Sequence, residues 1–299
     1  MFRYFGSKAS TSGYVADIVN QLTKTGTVAD AFGGLGTIGA ELKYNGHHVT
    51  TCDVLTFPHL FQVARIECNE IPSFKELKLR ENFENAESIL NHLNKQTEPN
   101  SWIVSEYALK RKFFTEQNAV KLAGIWNTIA KWDKSGLLSY RERAFLIASL
   151  LNSMDKVANT AGTYYAYLKS FHRKAIHHLK YEWIEVRRGN YIGKALLGDA
   201  LSQLEGSDYD VLYLDPPYNK RNYASYYHLP ETLAGLKRKK IKPSALSGVP
   251  EESHPFAPNI REAMSMEYIR KIMERVSWNH LIFHYCDNAL IPLELIRTK

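Results

Sequence analysis

Residues 27–53 constrain the fold more than any other stretch, because two short apolar segments there enclose a glycine-rich loop and a helical segment. Residues 27–32 have the composition of a buried strand, and residues 33–36 are Gly-Gly-Leu-Gly. Residues 37–45 have helical spacing, and residues 47–53 predict a second strand. Since a strand, a crossover helix and a second strand build parallel sheets, we expect an α/β fold with a Rossmann-like, doubly wound sheet.

The middle of the chain has helical spacing in place of the strand pattern. Short apolar segments return before Asp215 and at residues 280–285, where they predict further strands of the sheet. We therefore expect one α/β domain built from residues 1–60 and 190–299, split by a largely helical insertion at residues 61–189.

Composition limits the class of protein. The chain has 299 residues, of which 44% are hydrophobic, so it is expected to be globular. No run of about 18 apolar residues occurs, and the first residues lack the apolar core of a secretion signal, so we expect a cytoplasmic protein without a membrane partner. Three cysteines without a C-x-x-C pair predict neither a disulfide framework nor a metal site. A formal net charge of +7 favours a polyanionic partner.

The stretch DVLYLDPPY, residues 210–218, ends a predicted strand abruptly. Pro216 and Pro217 each fix their own φ and remove a donor, so the loop after Asp215 is held extended. The carboxylate, nearby carbonyl oxygens and the ring of Tyr218 then form a set of acceptors beside a stacking surface. This set suits a planar ring that carries an exocyclic NH2 group, whereas the alternative is a plain turn after a strand.

The glycine loop fits a nucleotide-like ligand. Gly34, Gly36 and Gly39 satisfy G-x-G-x-x-G, and Asp53 at the end of the next predicted strand is placed to bind ribose hydroxyls. A nicotinamide-dependent dehydrogenase is one candidate, and tight packing of the glycines is another explanation. Asp30, directly before the loop, would repel phosphates and is placed to meet a cationic amine. S-adenosylmethionine carries an amine, a ribose and no phosphate, and therefore fits better.

Four motifs in a fixed order carry a resemblance to a known family. They are YFGSK at residues 4–8, DAFGGLG at residues 30–36, the acid Asp53, and DPPY at residues 215–218. With these motifs in this order, the chain resembles the Dam-like, alpha-group family of adenine-N6 DNA methyltransferases. The resemblance covers residues 1–60 and 190–235, and ANTAGTYYAYLK at residues 158–169 is also similar.

The resemblance implies a site-specific enzyme that transfers a methyl group from S-adenosylmethionine to N6 of an adenine flipped out of double-stranded DNA. It also implies a place in a restriction-modification system, with a cognate restriction endonuclease as a partner. The predicted sheet is then a methyltransferase sheet. Residues 1–60 and 190–299 are the expected catalytic domain, and residues 61–189 are the candidate target-recognition region.

By position, the resemblance implies two overlapping sets of site residues. The catalytic tetrapeptide comprises Asp215, Pro216, Pro217 and Tyr218. The cofactor contacts are Tyr4, Lys8, Asp30, Phe32, Gly34, Gly36, Asp53 and Asp215. One departure is Gly33-Gly34-Leu35, where the family often has a small polar residue, and this departure is expected to be tolerated, with an effect on cofactor affinity.

The chemistry of the amine explains why such a tetrapeptide is needed. Adenine N6 shares its lone pair with the ring and is a poor nucleophile. We expect the Asp215 carboxylate and the Pro216 carbonyl to accept the two amine hydrogens, so that the lone pair is directed at the methyl group for in-line transfer. The base must leave the duplex to reach these acceptors, and Tyr218 is expected to stack on it.

Basic residues near the tetrapeptide are candidate DNA contacts. Lys220 and Arg221 follow it closely, and a phosphate that flanks a flipped base must pass near it. Arg187 and Arg188 lie in a basic stretch, for which a solvated surface is an equal alternative. The cluster KRKKIK at residues 237–242 is compatible with a DNA clamp or with a surface loop.

Other functions stay open on these residues. An amine-accepting site also fits cytosine N4 or an adenine in RNA, and Asp215 favours adenine through the family resemblance. A dehydrogenase would use the glycine loop but leaves DPPY without a role. A catalytically inactive DNA-binding module is a third alternative, which the intact set of Tyr4, Lys8, Asp53 and Asp215 opposes.

Overall fold

The structure is a computed structural model that describes residues 2–217 and 222–286. Within these residues, the strands form one sheet in which all five strands are parallel. The strands are β1 (Thr27–Asp30), β2 (His48–Asp53), β3 (Lys194–Leu197), β4 (Asp208–Leu214) and β5 (Ser277–Phe283). Their order across the sheet is β3-β2-β1-β4-β5, so the expected α/β fold with a Rossmann-like, doubly wound sheet is confirmed.

Helices make up much of the remaining described chain. They are, in chain order, α1 (Ser12–Leu22), α2 (Thr37–Tyr44), α3 (Thr56–Ile66), α4 (Lys75–Glu81), α5 (Ala86–Lys95), α6 (Trp102–Val104), α7 (Glu116–Lys134), α8 (Tyr140–Lys156), α9 (Ala200–Gln203), α10 (Tyr223–Tyr226), α11 (His228–Ala234), α12 (Ala257–Glu262) and α13 (Met266–Arg275). A π-helical turn at Ser105–Leu109 continues α6, and a 3-10 turn lies at Arg173–Ile176. No helix in the described part of the chain is long and apolar enough to cross a membrane.

Both faces of the sheet are covered, because alternate residues of a strand point to opposite sides. Val28 of β1 lies in an apolar cluster with Val19 of α1. The next residue, Ala29, lies in a second cluster with Ile269 of α13. All four side chains are fully buried. Burial on both faces is typical of parallel sheets and explains why β1 and β4 have apolar residues in succession.

The described chain divides into two compact units, an α/β unit and a helical unit. The α/β unit consists of the described residues of Gly6–Glu70, Arg187–Ala224 and Ser253–Lys299, and the helical unit consists of those of Met1–Phe5, Ile71–Val186 and Ser225–Glu252. These divisions differ from the expected boundaries at residues 60 and 189. α3 stays with the α/β unit, because it packs beside β3 and Ala195 N of β3 donates to Glu67 Oε1 at 3.0 Å.

The helical unit is built on α7 and α8, which pack against each other. α8 begins with a capping box in which Ser139 and Glu142 exchange hydrogen bonds. Residues 144–155 of this helix are all buried, so other elements surround it on every side. The indole of Trp126 on α7 donates to Leu233 O of α11 at 3.0 Å. The insertion is therefore helical, as the spacing of apolar residues predicts.

Asparagine side chains hold the irregular stretch that follows α8 in the helical unit. Asn118 on α7 donates to His177 O and accepts from Leu179 N, both at 2.8 Å. Asn94 donates to Tyr181 O at 2.8 Å and accepts from Tyr181 N at 3.0 Å. Buried backbone groups need such partners where no strand or helix supplies them. These side chains therefore take the place of regular secondary structure.

The sequence predicts four of the five strands in the described part of the chain and misses β3. β3 has only four residues, and Ala195 alone among them is buried. Its partner strand supplies the pairing, with Cys52 opposite Leu196 and Asp53 opposite Leu197. β1 is equally short, but its apolar residues are buried in succession and a glycine loop follows it, whereas β3 lacks both features.

Candidate active site

Four aspartates lie at the carboxyl ends of neighbouring strands. Asp30 ends β1, Asp53 ends β2, Asp199 comes shortly after β3, and Asp215 directly follows β4. These strands are parallel and adjacent, so their carboxyl ends meet at one edge of the sheet. The strand order reverses between β1 and β4, and open α/β sheets bind ligands at such a point. The sequence predicts three of these acids and misses Asp199.

The glycine loop after β1 is folded tightly against β2 and α3. Gly36 N donates to Gly33 O at 2.8 Å, and Gly33 N donates to Cys52 O at 2.9 Å. Gly34 and Gly36 have φ angles of 50° and 70°, in the region that favours glycine. A Cβ atom at Gly33 would lie 2.7 Å from Nε2 of Gln62. Close packing thus accounts for Gly33, whereas Gly34 and Gly36 are needed for the turn itself.

Polar side chains fix the backbone of this loop. Asp53 Oδ2 accepts from Gly34 N at 3.1 Å, and Gln62 Nε2 donates to Gly34 O at 2.8 Å. Arg65 donates to Leu35 O at 2.8 Å. Asp53, a predicted ribose contact, therefore also positions the glycine loop. The sequence misses Gln62 and Arg65, because their role depends on how α3 packs against the loop.

Asp30 is buried, with 2% of its surface exposed. Burial, together with the nearby charges of Asp215 and Asp53, raises the pKa of Asp30 to about 8, although the Phe32 N–H and Lys8 oppose this rise. At neutral pH the carboxyl group is therefore mostly protonated. A cation bound beside it would favour the ionised form, so this position is suited to a positively charged ligand.

Lys8 contacts the carboxylate that follows β4. Its Nζ donates to Asp215 Oδ2 at 2.5 Å, and each of the two side chains is 13% exposed. The same Nζ lies 3.3 Å from Gly6 O. The sequence predicts Lys8 as a cofactor contact, and the structure places its ammonium group on Asp215, the predicted catalytic carboxylate, at the same edge of the sheet. Lys8 is thus positioned to orient Asp215.

His284 lies beside the same carboxylate, after β5. Its Nδ1 is 2.8 Å from the Tyr213 hydroxyl, and its backbone N donates to Leu214 O at 2.8 Å. Burial lowers the pKa of His284, and the negative charge of Asp215 opposes this shift. A neutral imidazole therefore lies next to the acid. The sequence misses this residue, because a histidine after an apolar segment is no specific signal.

Comparison with known proteins identifies the family. The family model for D12 class N6 adenine-specific DNA methyltransferase matches residues 4–281. The chain belongs to this family. The resemblance to adenine-N6 DNA methyltransferases that the motifs indicate is thereby confirmed.

Relatives of this D12 class chain include three curated proteins. Type II methyltransferase M.FokI of Planomicrobium okeanokoites is 30% identical over 99% of this chain and 46% of the relative. Modification methylase LlaI of Lactococcus lactis subsp. lactis is 25% identical over 98% of this chain and 47% of the relative. Type II methyltransferase M.NlaIII of Neisseria lactamica is 28% identical over 77% of this chain and 68% of the relative. The chain spans about half the length of the first two relatives. No solved structure matches it.

Asp199 extends the D12 class site along the sheet edge. Gly198 N donates to Asp53 O at 2.9 Å, which ties the turn after β3 to the end of β2. Asp199 Oδ2 accepts from the Tyr268 hydroxyl at 2.9 Å, and the Tyr268 ring lies 6.4 Å from that of Phe32, a predicted cofactor contact. The sequence signal that marks Asp199 is a Gly-Asp pair directly after an apolar segment.

The other predicted catalytic and cofactor residues of this D12 class chain are Tyr4, Pro216, Pro217 and Tyr218. Tyr4 belongs to the helical unit, where its ring lies 5.1 Å from that of Tyr227. Pro216 is buried and Pro217 partly buried directly after Asp215. Tyr218 lies outside the described residues.

Two of the four predicted DNA contacts fall within the described chain. Arg187 forms an ion pair with Glu41, and its guanidinium lies 3.9 Å from the centre of the Tyr44 ring. Arg188 is exposed. Lys220 and Arg221 lie outside the described residues. DNA contact by these four cations stays a prediction.

Proposed function

We propose that this chain transfers a methyl group from S-adenosylmethionine to N6 of adenine at specific sites in double-stranded DNA. The observation that carries the proposal is the position of Asp215. It follows β4 where the strand order reverses, and Lys8 holds it at the edge shared with Asp30 and Asp53. Membership of the D12 class supports adenine as the base.

The residues around the glycine loop fit S-adenosylmethionine, which supplies a methyl group on a positively charged sulfur when bound. The buried Asp30 carboxyl group is suited to a cation, because positive charge offsets the burial and the neighbouring acids that raise its pKa. Asp53 and Asp199 add acceptors at the next two strand ends for hydroxyl and amine donors. A dinucleotide would bring a pyrophosphate to the same strand ends, where the Asp53 carboxylate would repel it and its negative charge would favour the neutral form of Asp30. This charge pattern disfavours the dehydrogenase alternative.

Asp215 and Pro216 present acceptors at the carboxyl end of β4. In our proposal, the Asp215 carboxylate and the Pro216 carbonyl accept the two hydrogens of adenine N6, and Tyr218 stacks on the base. A carboxylate has about four acceptor sites, so the ion pair with Lys8 is compatible with an amine hydrogen. These bonds direct the N6 lone pair at the methyl group, and the catalytic effect comes from positioning and electrostatics.

The proposed setting is a restriction-modification system with a cognate restriction endonuclease. It is supported by relatives described as a modification methylase and as Type II methyltransferases. The insertion at residues 61–189, most of which lies in the helical unit, is the proposed target-recognition region. Lys220, Arg221, Arg187 and Arg188 are proposed phosphate contacts. The formal net charge of +7 is consistent with a polyanionic substrate.

The proposal is tested by methyl transfer from labelled S-adenosylmethionine to unmethylated DNA of mixed sequence, followed by digestion to nucleosides. Label in N6-methyladenine is the expected result. Label in cytosine would overturn the choice of base. In a parallel reaction with RNA, transfer to RNA but not to DNA would overturn the choice of nucleic acid. No transfer despite cofactor binding would point to an inactive DNA-binding protein.

Asp215→Ala tests the assigned catalytic carboxylate. We expect the transfer rate to fall by at least roughly 100-fold, because the acceptor that orients N6 is lost. Asp208→Ala is the matched control, since Asp208 is an exposed aspartate at the amino end of the same strand. The control is expected to keep its activity. An active Asp215→Ala variant with normal circular dichroism would refute the assignment.

A further inference from the structure

A basic cavity of about 590 Å³ lies within the helical unit, formed by residues outside the proposed active site. Its lining comprises Glu106, Lys110, Arg111, Arg238, Lys240, Ile241, Lys242 and Pro243, which we call the basic cleft. Five of these eight side chains are cations and one is a carboxylate. Three of the cations come from the KRKKIK segment, for which the sequence leaves a clamp and a surface loop open.

The KRKKIK side of the basic cleft is a narrow hairpin. Ile241 and Pro250 form an antiparallel bridge. Lys242 N donates to Val249 O at 3.0 Å. These contacts order the backbone of the hairpin, so its basic side chains extend from fixed positions.

The hairpin is fastened to the π-helical turn and the residues after it. Arg111 donates to Leu246 O at 3.0 Å and to Ala245 O at 3.1 Å, and the buried Tyr107 hydroxyl donates to Gly248 O at 3.1 Å. Gly248 has a φ angle of 83°, and a Cβ atom there would lie 3.1 Å from the Tyr107 ring. The loop is therefore seated closely, and both walls of the basic cleft are held by specific contacts.

The charges of the basic cleft do not balance. Glu106 accepts from Lys110 at 2.7 Å and from Arg111 at 2.6 Å, so one carboxylate serves two cations. Lys240 pairs with Glu251 at 2.8 Å. Within residues 2–217 and 222–286, no carboxylate forms an ion pair with Arg238 or Lys242, and both are exposed. The five cations together with the carboxylates of Glu106 and Glu251 have a formal net charge of +3.

We propose that the basic cleft binds backbone phosphates of double-stranded DNA, an inference that rests on the proposed function. Cations on two facing walls suit a ligand that brings several negative charges in a row, as a phosphate backbone does. Among the described residues, the lining has no aromatic side chain on which an unpaired base could stack, which argues for duplex backbone over single-stranded nucleic acid. Phosphate contacts carry no direct sequence information, so the basic cleft supplies affinity and orientation and does not read bases.

The salt dependence of DNA binding tests this assignment. The variant is Arg238→Gln combined with Lys242→Gln, and the matched control is Lys131→Gln combined with Lys134→Gln. The control removes two exposed cations from the end of α7 in the same unit. Both pairs lie on the surface, and circular dichroism checks that each variant is folded. Fluorescence anisotropy of a labelled duplex measures Kd between ~0.05 and ~0.2 M salt.

We expect the salt slope of the cleft variant to be shallower by about 1.8, since each neutralised phosphate contributes about 0.9 to the slope. If its line and that of the wild type meet at ~1 M salt, affinity at ~0.1 M salt is about 60-fold weaker. The control is expected to keep the wild-type slope, and both variants are expected to keep the wild-type kcat at saturating DNA. Equal slopes for the cleft variant and the control would overturn the assignment.

The two proposals fail in different ways. A wild-type enzyme that methylates adenine while the cleft variant keeps its salt slope would refute the basic cleft alone. A shallower slope for the cleft variant in a protein that transfers no methyl group would support the basic cleft and refute the proposed function. A slope that changes only with single-stranded DNA would overturn the assignment to the duplex backbone.

Discussion

The buried carboxyl group of Asp30 predicts that the protein becomes less stable as the pH rises. Asp30→Asn keeps the size of the side chain and an oxygen that can accept from Phe32 N, but it removes the ionisable group. The pKa of Asp30 is about 8 in the folded protein, compared with an ordinary value of 3.8. Between these two pH values the folded protein keeps a proton that the unfolded chain releases.

The sign and size of the effect follow from this difference in pKa. The stability that the neutral carboxyl group contributes is fully present below pH 3.8 and is lost as the pH rises through about 8. Each pH unit in this window lowers the free energy of unfolding by ~1.4 kcal/mol. About three pH units separate 3.8 from neutrality, so Asp30 lowers the free energy of unfolding at pH 7 by on the order of 4 kcal/mol. An asparagine at this position has no such loss.

Urea unfolding of the wild type and of Asp30→Asn between pH 5 and pH 9 measures this difference. The variant is expected to gain stability over the wild type by ~1.4 kcal/mol per pH unit and to level off above pH 8. Burial also shifts the pKa values of Lys43, His59 and His228, but both proteins share these groups and their effects cancel in the comparison. Asp208→Asn, at the exposed start of β4, serves as the control.

Parallel pH curves for the wild type and Asp30→Asn would refute the reasoning, because they would mean that Asp30 binds protons equally in the folded and unfolded states. The same variant is expected to bind S-adenosylmethionine more weakly in calorimetry, since a neutral amide attracts a cation less than a carboxylate does. If Asp30→Asn is more stable but binds S-adenosylmethionine more weakly, the native aspartate lowers stability while it supports binding.

Two further substitutions test the neighbouring parts of the site. Lys8→Gln removes a charged hydrogen bond to Asp215 worth about 1.5–3 kcal/mol. We therefore expect kcat to fall roughly 10- to 150-fold, with little change in circular dichroism. An unchanged kcat would show that Lys8 does not orient the acid. Gly36→Ala places a Cβ atom 3.2 Å from Gln62 at a φ angle of 70°, whereas Gly136→Ala has nearly the same φ of 69° and nothing within 4 Å. Both variants are expected to lose about 1 kcal/mol of stability, because alanine is strained at a positive φ angle. Gly36→Ala alone is expected to lose more stability and to bind the cofactor more weakly. Equal effects of the two substitutions would contradict the packing described for the glycine loop.

The sequence predicts the parts of the fold and site that depend on local patterns. β1 and β4 have consecutive apolar residues because both faces of the sheet are covered. Asp30 and Asp53 are found because they end β1 and β2, and Asp215 is found because it directly follows β4. Two prolines after Asp215 mark the end of β4 without any knowledge of the fold. The motifs therefore locate three of the four strand-end acids described for the site.

The parts that the sequence misses depend on contacts between distant segments. His284 belongs to the site only because β5 pairs with β4 and brings it next to Asp215. Gln62 acts on the glycine loop through the packing of α3, and the spacing of α3 does not reveal this contact. The ion pair between Lys8 and Asp215 joins residues that are 207 positions apart. No window of local sequence contains both partners of such a contact.

The position of β1 between β2 and β4 affects how a newly made chain folds on the ribosome. Val28 pairs with Val49 on one side and with Val211 on the other. At a synthesis rate of about 5–20 residues per second, Val211 is added roughly ten to forty seconds after Val28. Throughout that interval β1 lacks its partner strand on the β4 side, and an unpaired strand edge favours pairing with other chains. The speed of translation between β2 and β4 therefore sets how long each new chain is exposed to that risk.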